Sequence, residues 1–254
     1  MEKSSVIKAS IIGACIILTA IILGNAFKNR NASQDSISVV GLGSKDFTSD
    51  AILFSGSFTS KAEDPKVAYA SINSQQAIVK NFFKSKGFTD AEVTFSGVNF
   101  EKNFRTITTE TSTGGYVKSE QVFDGYTASQ AVSIAANKNE ALMAKIEGVS
   151  DQTSELINSG VEFNPRALQY TYSDLPSLKK SLIESATQDA NERARKIVNT
   201  ANGDIGKLKT ASMGVFQIKG KGADDEEDSY GGSNDIYNKE KTARITVRLS
   251  YELE

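Results

Sequence analysis

The chain has 254 residues, 39% of them hydrophobic, and 29 Lys and Arg against 31 Asp and Glu give a formal net charge of −2. This composition is too apolar for a disordered chain and too charged for a multi-span membrane protein. With no His and no Trp, a Ser-His-Asp or Cys-His nucleophile pair, a His-ligated zinc site and a His-ligated haem are excluded.

The single cysteine, Cys15, lies in the first apolar run, so no disulfide can form within the chain and the remainder carries no thiol for redox or metal chemistry. That run, residues 9–27 (ASIIGACIILTAIILGNAF), is uncharged and framed by Lys3 and Lys8 before it and Lys28 and Arg30 after it. As a helix it would be about 28 Å long, near the thickness of a bilayer core. It reads as an uncleaved transmembrane anchor. Gly24-Asn25-Ala26 keeps signal cleavage after Ala26 as the alternative. Cys15 after Ile12-Gly13-Ala14 is a poor lipoprotein box, because the apolar run continues well past it. The short amino end, 1–8, is expected in the cytoplasm and the body on the exported side. Residues 28–36 form a polar tether. Without Lys3, Lys8, Lys28, Arg30 and Glu2, residues 31–254 keep 25 basic and 30 acidic side chains, a net −5. No basic footprint for nucleic acid exists there.

From residue 37 onward the folded domain begins. Segments 37–43 (ISVVGLG) and 51–60 (AILFSGSFTS) read as paired strands, with Ile52, Phe54, Gly56 and Phe58 on one face. Asp64 as N-cap, Pro65 at the first helical position and Gly87 as the stop predict a helix over 65–86 with the stripe Ala68, Ile72, Val79, Phe82 and Phe83. Val93 and Phe95, then Val98 and Phe100, predict one strand with a bulge at Gly97. A long hairpin is expected across Gly114-Gly115, from the Thr-rich 106–113 to 116–136, its tip a candidate contact arm. A second helix covers 139–158 with Leu142, Ile146, Val149, Leu156 and Ile157 inward and Gly160 as its stop. Residues 163–172 read as a strand interrupted by Pro165, which suggests an edge position or a bulge. The longest helix follows Ser173-Asp174 and ends at Gly203, with Leu178, Leu182, Ala186, Ala190, Ala194, Ile197 and Ala201 as its stripe. Strands at 209–219 and 241–252 close the chain, the second alternating Ala243, Ile245, Val247, Leu249 and Tyr251. The order ββα, ββα, βα, ββ predicts an α+β domain of antiparallel sheets packed against three helices, in two lobes, with a βαββαβ unit over 51–172.

Candidate chemistry is sparse. Asp224, Asp225, Glu226, Glu227 and Asp228 offer oxygen ligands but lack EF-hand spacing, and read as a solvated loop. Gly41-Leu42-Gly43 lacks the third glycine and the helix of a dinucleotide fingerprint. Glu184, Asp189, Glu192, Arg193, Arg195 and Lys196 crowd the longest helix, where Glu192 is spaced to pair with Arg195 or Lys196. Tyr116, Tyr126, Tyr170, Tyr172 and Phe123 read as core, or else as a contact surface. No catalytic residue, cofactor or metal ligand is assigned.

Several segments resemble the SIMPL (DUF541) family, whose relatives include a bacterial periplasmic immunogenic protein and kinase-associated signalling proteins of animals. They are ISVVGLG at 37–43, GYTASQ at 125–130, INSGV at 157–161 and, above all, ATQDANERA at 186–194 closed by Gly203 and Gly206-Lys207-Leu208. The resemblance implies an α+β domain, export to the periplasm, ring-like oligomers in at least one relative, links to envelope or oxidative stress, and no established catalytic residues. The expected function is that of a non-enzymatic, membrane-anchored cell-envelope protein that forms homo-oligomers as a scaffold or ring. The alternative is a periplasmic module that binds a protein or peptide through a strand edge or the 106–124 hairpin. A hydrolase using Asp189 and Glu192 is the third and weakest reading.

Overall fold

The computed structural model describes residues 2–31, 36–110, 117–223 and 232–253, without the side chains of 2–12, 28–31, 109–110 and 117–118. The first helix, α1 (Glu2–Asn31), contains the apolar run and exposes Ile16, Ile17, Leu18, Ile21, Ile22, Leu23 and Phe27 on all sides. Among the described residues no helix is long and apolar enough to cross a membrane; the first four residues of the 9–27 run, with Lys8, Lys28 and Arg30, have side chains outside that description.

The domain is α+β, two antiparallel sheets each covered by helix on one face. β1 (Ser36–Thr48) and β2 (Ala51–Ala62) are strands as predicted, but not partners. β1 pairs with the last strand, β10 (Glu240–Leu253), while β2 pairs with β5 (Val117–Asn137). The turn between them carries the chain from one sheet to the other. Local alternation marks a strand and its buried face but says nothing about which distant strand completes it.

The larger lobe is built from β2, α2 (Pro65–Ser85), β3 (Val93–Phe95), β4 (Asn99–Glu110), β5, α3 (Glu140–Ser150), β6 (Phe163–Pro165) and β7 (Gln169–Thr171). Asp64 caps α2, accepting from the Lys66 amide at 2.7 Å, and Gly87 lies at φ 87°, a left-handed conformation that suits glycine. Ala68, Ile72, Val79 and Phe83 of α2 are buried against Ile52, Phe54 and Phe58 of β2 and Val132 and Ile134 of β5. Each such aliphatic or aromatic side chain contributes roughly 1.5–3 kcal/mol on burial. The expected bulge at Gly97 is a break between two strands, β3 and β4, both paired with β5; Ser96 spans it, its amide donating to the Ala131 carbonyl. The second helix is α for only 11 residues and continues as a 3-10 turn, Asp151–Ser159, to Gly160 at φ 77°. That change of pitch turns Ile157 outward, against the expected inward position, while Leu156 stays buried. The single strand expected over 163–172 is instead two short ones, β6 and β7, each paired with β2, because Pro165 ends β6 at the edge of the sheet.

The smaller lobe has strand order β1-β10-β8; the one strand expected over 209–219 is divided into β8 (Ile205–Met213) and the short β9 (Gln217–Gly220), both on one side of β10. Helix α4 (Leu175–Thr200) lies over β1 and β10. Its buried stripe, Leu178, Leu182, Ala186, Ala190, Ala194 and Val198, advances by four throughout, so Val198 replaces the expected Ile197, which is exposed with Ala201. Ala243, Ile245, Val247, Leu249 and Tyr251 face it, as their alternation predicts. Gly41 and Gly43 are the counterpart of the alanines. A Cβ on Gly41 would collide with the Ala186 carbonyl oxygen and the Ala190 amide nitrogen, and one on Gly43 with the Leu182 carbonyl oxygen. These glycines are a helix-packing seam.

Candidate functional site

Two features of the surface stand out for what they leave uncovered: the outer part of the β4–β5 hairpin and the free edges of the smaller sheet. β2 stops pairing with β5 at Tyr126, so 117–125 pair with β4 alone and the hairpin continues as a two-stranded arm. At about 3.3 Å per residue, the stretch from Phe104 to the end of β4 reaches roughly 20 Å past its root. The expected tip, Gly114-Gly115 with Tyr116, lies outside the described residues.

The root is a bulge, where Asp124 and Gly125 together oppose Asn103. Gly125 has φ 88°, and a Cβ there would come within 2.7 Å of the Ala62 carbonyl oxygen. Asn103 Nδ2 donates to Thr127 Oγ1 at 2.6 Å, and Lys61 pairs with Asp124 at 2.5 Å. Hydrogen bonding from Lys61 holds the Asp124 carboxyl below its usual range. A cleft of about 430 Å³ opens here between Lys61, Glu63, Arg105 and Phe123.

Along the arm, Phe104, Thr106 and Thr108 share an uncharged face with Phe123, Gln121 and Ser119, whereas Arg105, Ile107, Glu120 and Val122 lie on the other. Phe104 is 56% exposed and meets Phe123 edge to face at 6.0 Å; Phe123, 45% exposed, meets Tyr126 at 5.3 Å. Phe100, next to the root, packs at 6.1 Å on the exposed Tyr69 of α2. Of the residues that could be core or contact surface, Phe123 is exposed and Tyr126 half-buried, so neither is core. Tyr170 and Tyr172 are half-buried, the latter on Phe47 at 5.0 Å.

In the smaller sheet, neither the outer edge of β1 nor that of β8 has a strand partner among the described residues. The Leu42 amide donates to Asp189 Oδ2 of α4 at 2.8 Å, so the even-numbered residues of β1 point their backbone groups away from β10. Arg193 beside Asp189, then the Leu42 amide, hold that carboxyl below its ordinary value. Gly41 and Gly43 serve this packing and form no phosphate cradle.

The remaining charged candidates of α4 stay on its surface. Arg193 pairs with Asp189 at 2.9 Å and Arg195 Nε donates to Asn191 Oδ1 at 2.9 Å. Glu192 accepts from Gln188 at 2.9 Å, in place of the Arg195 or Lys196 pairing its spacing suggested. They converge on no common point. The acidic run at 224–228 lies outside the described residues.

The profile of the SIMPL family, described as a protein of unknown function (DUF541), matches residues 37–251. The chain belongs to the SIMPL family. No curated protein matches it significantly. The match begins at the second residue of β1 and ends within β10, so the SIMPL domain comprises both lobes and α1 precedes it; of the expected tether 28–36, residues 28–31 belong to α1, 36 to β1, and 32–35 lie outside the described residues.

Proposed function

We propose that this SIMPL protein is a non-enzymatic cell-envelope protein, held in the inner membrane by α1 with its domain in the periplasm, whose domains assemble edge to edge into a scaffold or ring. Two edges on one sheet that have no strand partner among the described residues, β1 and β8, carry this reading. Pairing β1 of one copy with β8 of the next is a heterologous, head-to-tail contact, and such contacts repeat until they close a ring or extend as a filament. The all-round exposure of apolar side chains on α1 supports an anchor, because a helix apolar on every side belongs in an apolar medium.

The test is the mass of residues 31–254 by light scattering behind a sizing column. A discrete multimer is expected, and Val40→Pro should reduce it to monomers without unfolding it. The Val40 amide points away from β10, so proline there deletes only an edge donor. A strictly monomeric wild-type domain at micromolar concentration would overturn this reading.

A second reading, a protein- or peptide-binding module, rests on the exposed Phe104–Phe123 pair of the arm. Aromatic side chains give large contact area at low entropic cost. Removing 104–123 should then abolish crosslinking to an envelope partner while the melting transition persists. An unchanged set of crosslinked partners would sink it.

A further inference from the structure

The start of β1, the end of β10 and the start of β8 meet at one end of the smaller lobe, since Ile37 pairs with Tyr251, Tyr251 with Leu208 and Leu253 with Ile205. The last turn of α4 joins them: the helix meets Gly43 at Leu182 and Gly41 at Ala186 and Ala190, so it advances toward the start of β1 as it runs to Thr200. The turn into the larger lobe leaves from the other end of β1.

Ile197, Leu208 and Leu253 are exposed at this end, at 54%, 53% and 43%. Among the described residues, the exposed cations Arg195, Lys196, Lys207 and Lys209 stand here against the carboxylates Asp204 and Glu252, and Glu254 follows in the sequence. The helix terminus between them is closed by its own backbone, the Ala201, Asn202 and Gly203 amides donating to the Ile197, Asn199 and Val198 carbonyls. Long basic side chains beside apolar ones suit the boundary of a bilayer, where the stems lie on apolar neighbours and the charged heads reach phosphate.

The same end is tied closely to α1. The five Cα steps from Asn31, which ends α1, to Ser36, which starts β1, span at most roughly 18 Å. With residues 9–27 in the hydrocarbon, residues 28–31 add about 6 Å of helix. That rise matches a headgroup layer roughly 5–8 Å thick. The strand therefore starts close to the lipid phosphates, and the end that carries it is held beside them.

We propose that this end of the smaller lobe docks on the bilayer that holds α1, its lysines on anionic phospholipid headgroups and Ile197, Leu208 and Leu253 at the boundary with the acyl chains. The contact rests on α1 being the anchor and is separable from it by experiment. A lipid surface is favoured over a protein because the short connection keeps this end beside the bilayer, and the basic excess complements an anionic leaflet.

The chain has no tryptophan, so a single introduced one reports its own surroundings. The test places the full chain in nanodiscs of phosphatidylcholine and phosphatidylglycerol whose acyl chains are brominated, a contact quencher of indole. Ile17→Trp reads the anchor, Leu208→Trp and Ile197→Trp read the docked end, and Val215→Trp, on the far side of β8, serves as the distant control. Strong quenching is expected at Ile17, Leu208 and Ile197, and none at Val215. Adding Lys196→Gln and Lys207→Gln should lower the docked-to-free ratio about tenfold. Quenching at Ile17 alone would overturn the docking and leave the anchor standing, whereas no quenching at Ile17 would overturn both. Equal quenching in phosphatidylcholine alone would overturn the anionic partner, and equal quenching at Val215 the orientation. Shielding of Leu208→Trp from aqueous iodide without quenching by brominated lipid would overturn the lipid and assign this end to a second copy of the chain.

Discussion

The Asp189 carboxylate of α4 ties β1 to the helix by accepting one edge amide, that of Leu42, at 2.8 Å, and the same carboxylate pairs with Arg193 one helical turn on. Helix and strand are thereby locked in one register at the point where Gly41 lets them touch. Because this carboxyl ionises more readily folded than unfolded, its contribution is present above the ordinary Asp range and lost as pH falls through the lowered folded value. Asp189→Asn should therefore lower stability by about 1 kcal/mol at pH 7, a charge-assisted hydrogen bond discounted for partial exposure. The deficit should shrink toward pH 3. Urea midpoints at the two pH values check it, and a deficit that does not change with pH would contradict the assignment.

Gly41 and Val40 are adjacent but face opposite ways, which makes them a matched pair. Gly41→Ala forces a methyl into the Ala186 carbonyl oxygen and the Ala190 amide, backbone atoms that cannot move aside without shifting α4. The expected loss is about 2–3 kcal/mol, at the upper end of overpacking. Val40→Ala on the exposed face should change stability by roughly 0.5 kcal/mol or less. Chemical denaturation of the two variants separates them, and equal losses would mean that the seam is not where the lobe is tight.

Local signals in the sequence carry much of this architecture. Asp64-Pro65 and Gly87 bracket α2 because caps act within a few residues, and the alternation from Ala243 to Tyr251 marks a strand buried on one face. What escapes is non-local. Nothing near residues 37–43 says that their partner lies two hundred residues away, so β1 and β2 look like a hairpin. Gly41 and Gly43 resemble half of a phosphate loop until α4 is seen against them. The bulge at Gly125 is not expected from the sequence, which reads 116–136 as one regular run; only the contact of Phe123 with Tyr126 across an odd spacing shows it. Lys241 continues the inward parity of Ala243 and is 2% exposed, although a lysine read alone suggests solvent.

The root of the arm depends on Gly125 twice, through its positive φ and through its approach to the Ala62 carbonyl. Gly125→Ala should cost at least about 1–2 kcal/mol from the left-handed conformation alone. Hydrogen exchange should then rise first in 118–127, around the bulge, with the α4 seam unaffected. In contrast, replacing both Phe104 and Phe123 by Ser should leave the global melt within about 1 kcal/mol, because both rings are about half exposed and their ring contacts are with each other and with Tyr126 at the root. A collapse of the whole domain in the double variant would show that the arm is part of the core.

Tyr170 and Lys241 tie the lobes together and respond to alkali in opposite directions. Lys241 donates from its buried ammonium to the Tyr170 carbonyl at 2.6 Å, and Tyr170 donates its hydroxyl to Glu147 at 3.1 Å. Burial, then the Glu147 carboxylate, push the Tyr170 phenol up to about 12 from 10.0. The neutral phenol is thus favoured in the folded state; its contribution is complete below pH 10 and disappears as pH rises from 10 to 12. Burial of Lys241 lowers its value, so the folded chain sheds that proton before the unfolded one, and stability gains with pH below the ordinary lysine range. Tyr170→Phe should cost about 1 kcal/mol at pH 7 from the lost hydrogen bond and should flatten the fall in stability between pH 10 and 12. Lys241→Met should steepen the net decline across pH 9–12, because the opposing gain is gone. Urea midpoints across this interval check both signs, and a wild-type curve that Tyr170→Phe leaves parallel would show that the phenol titrates alike in both states.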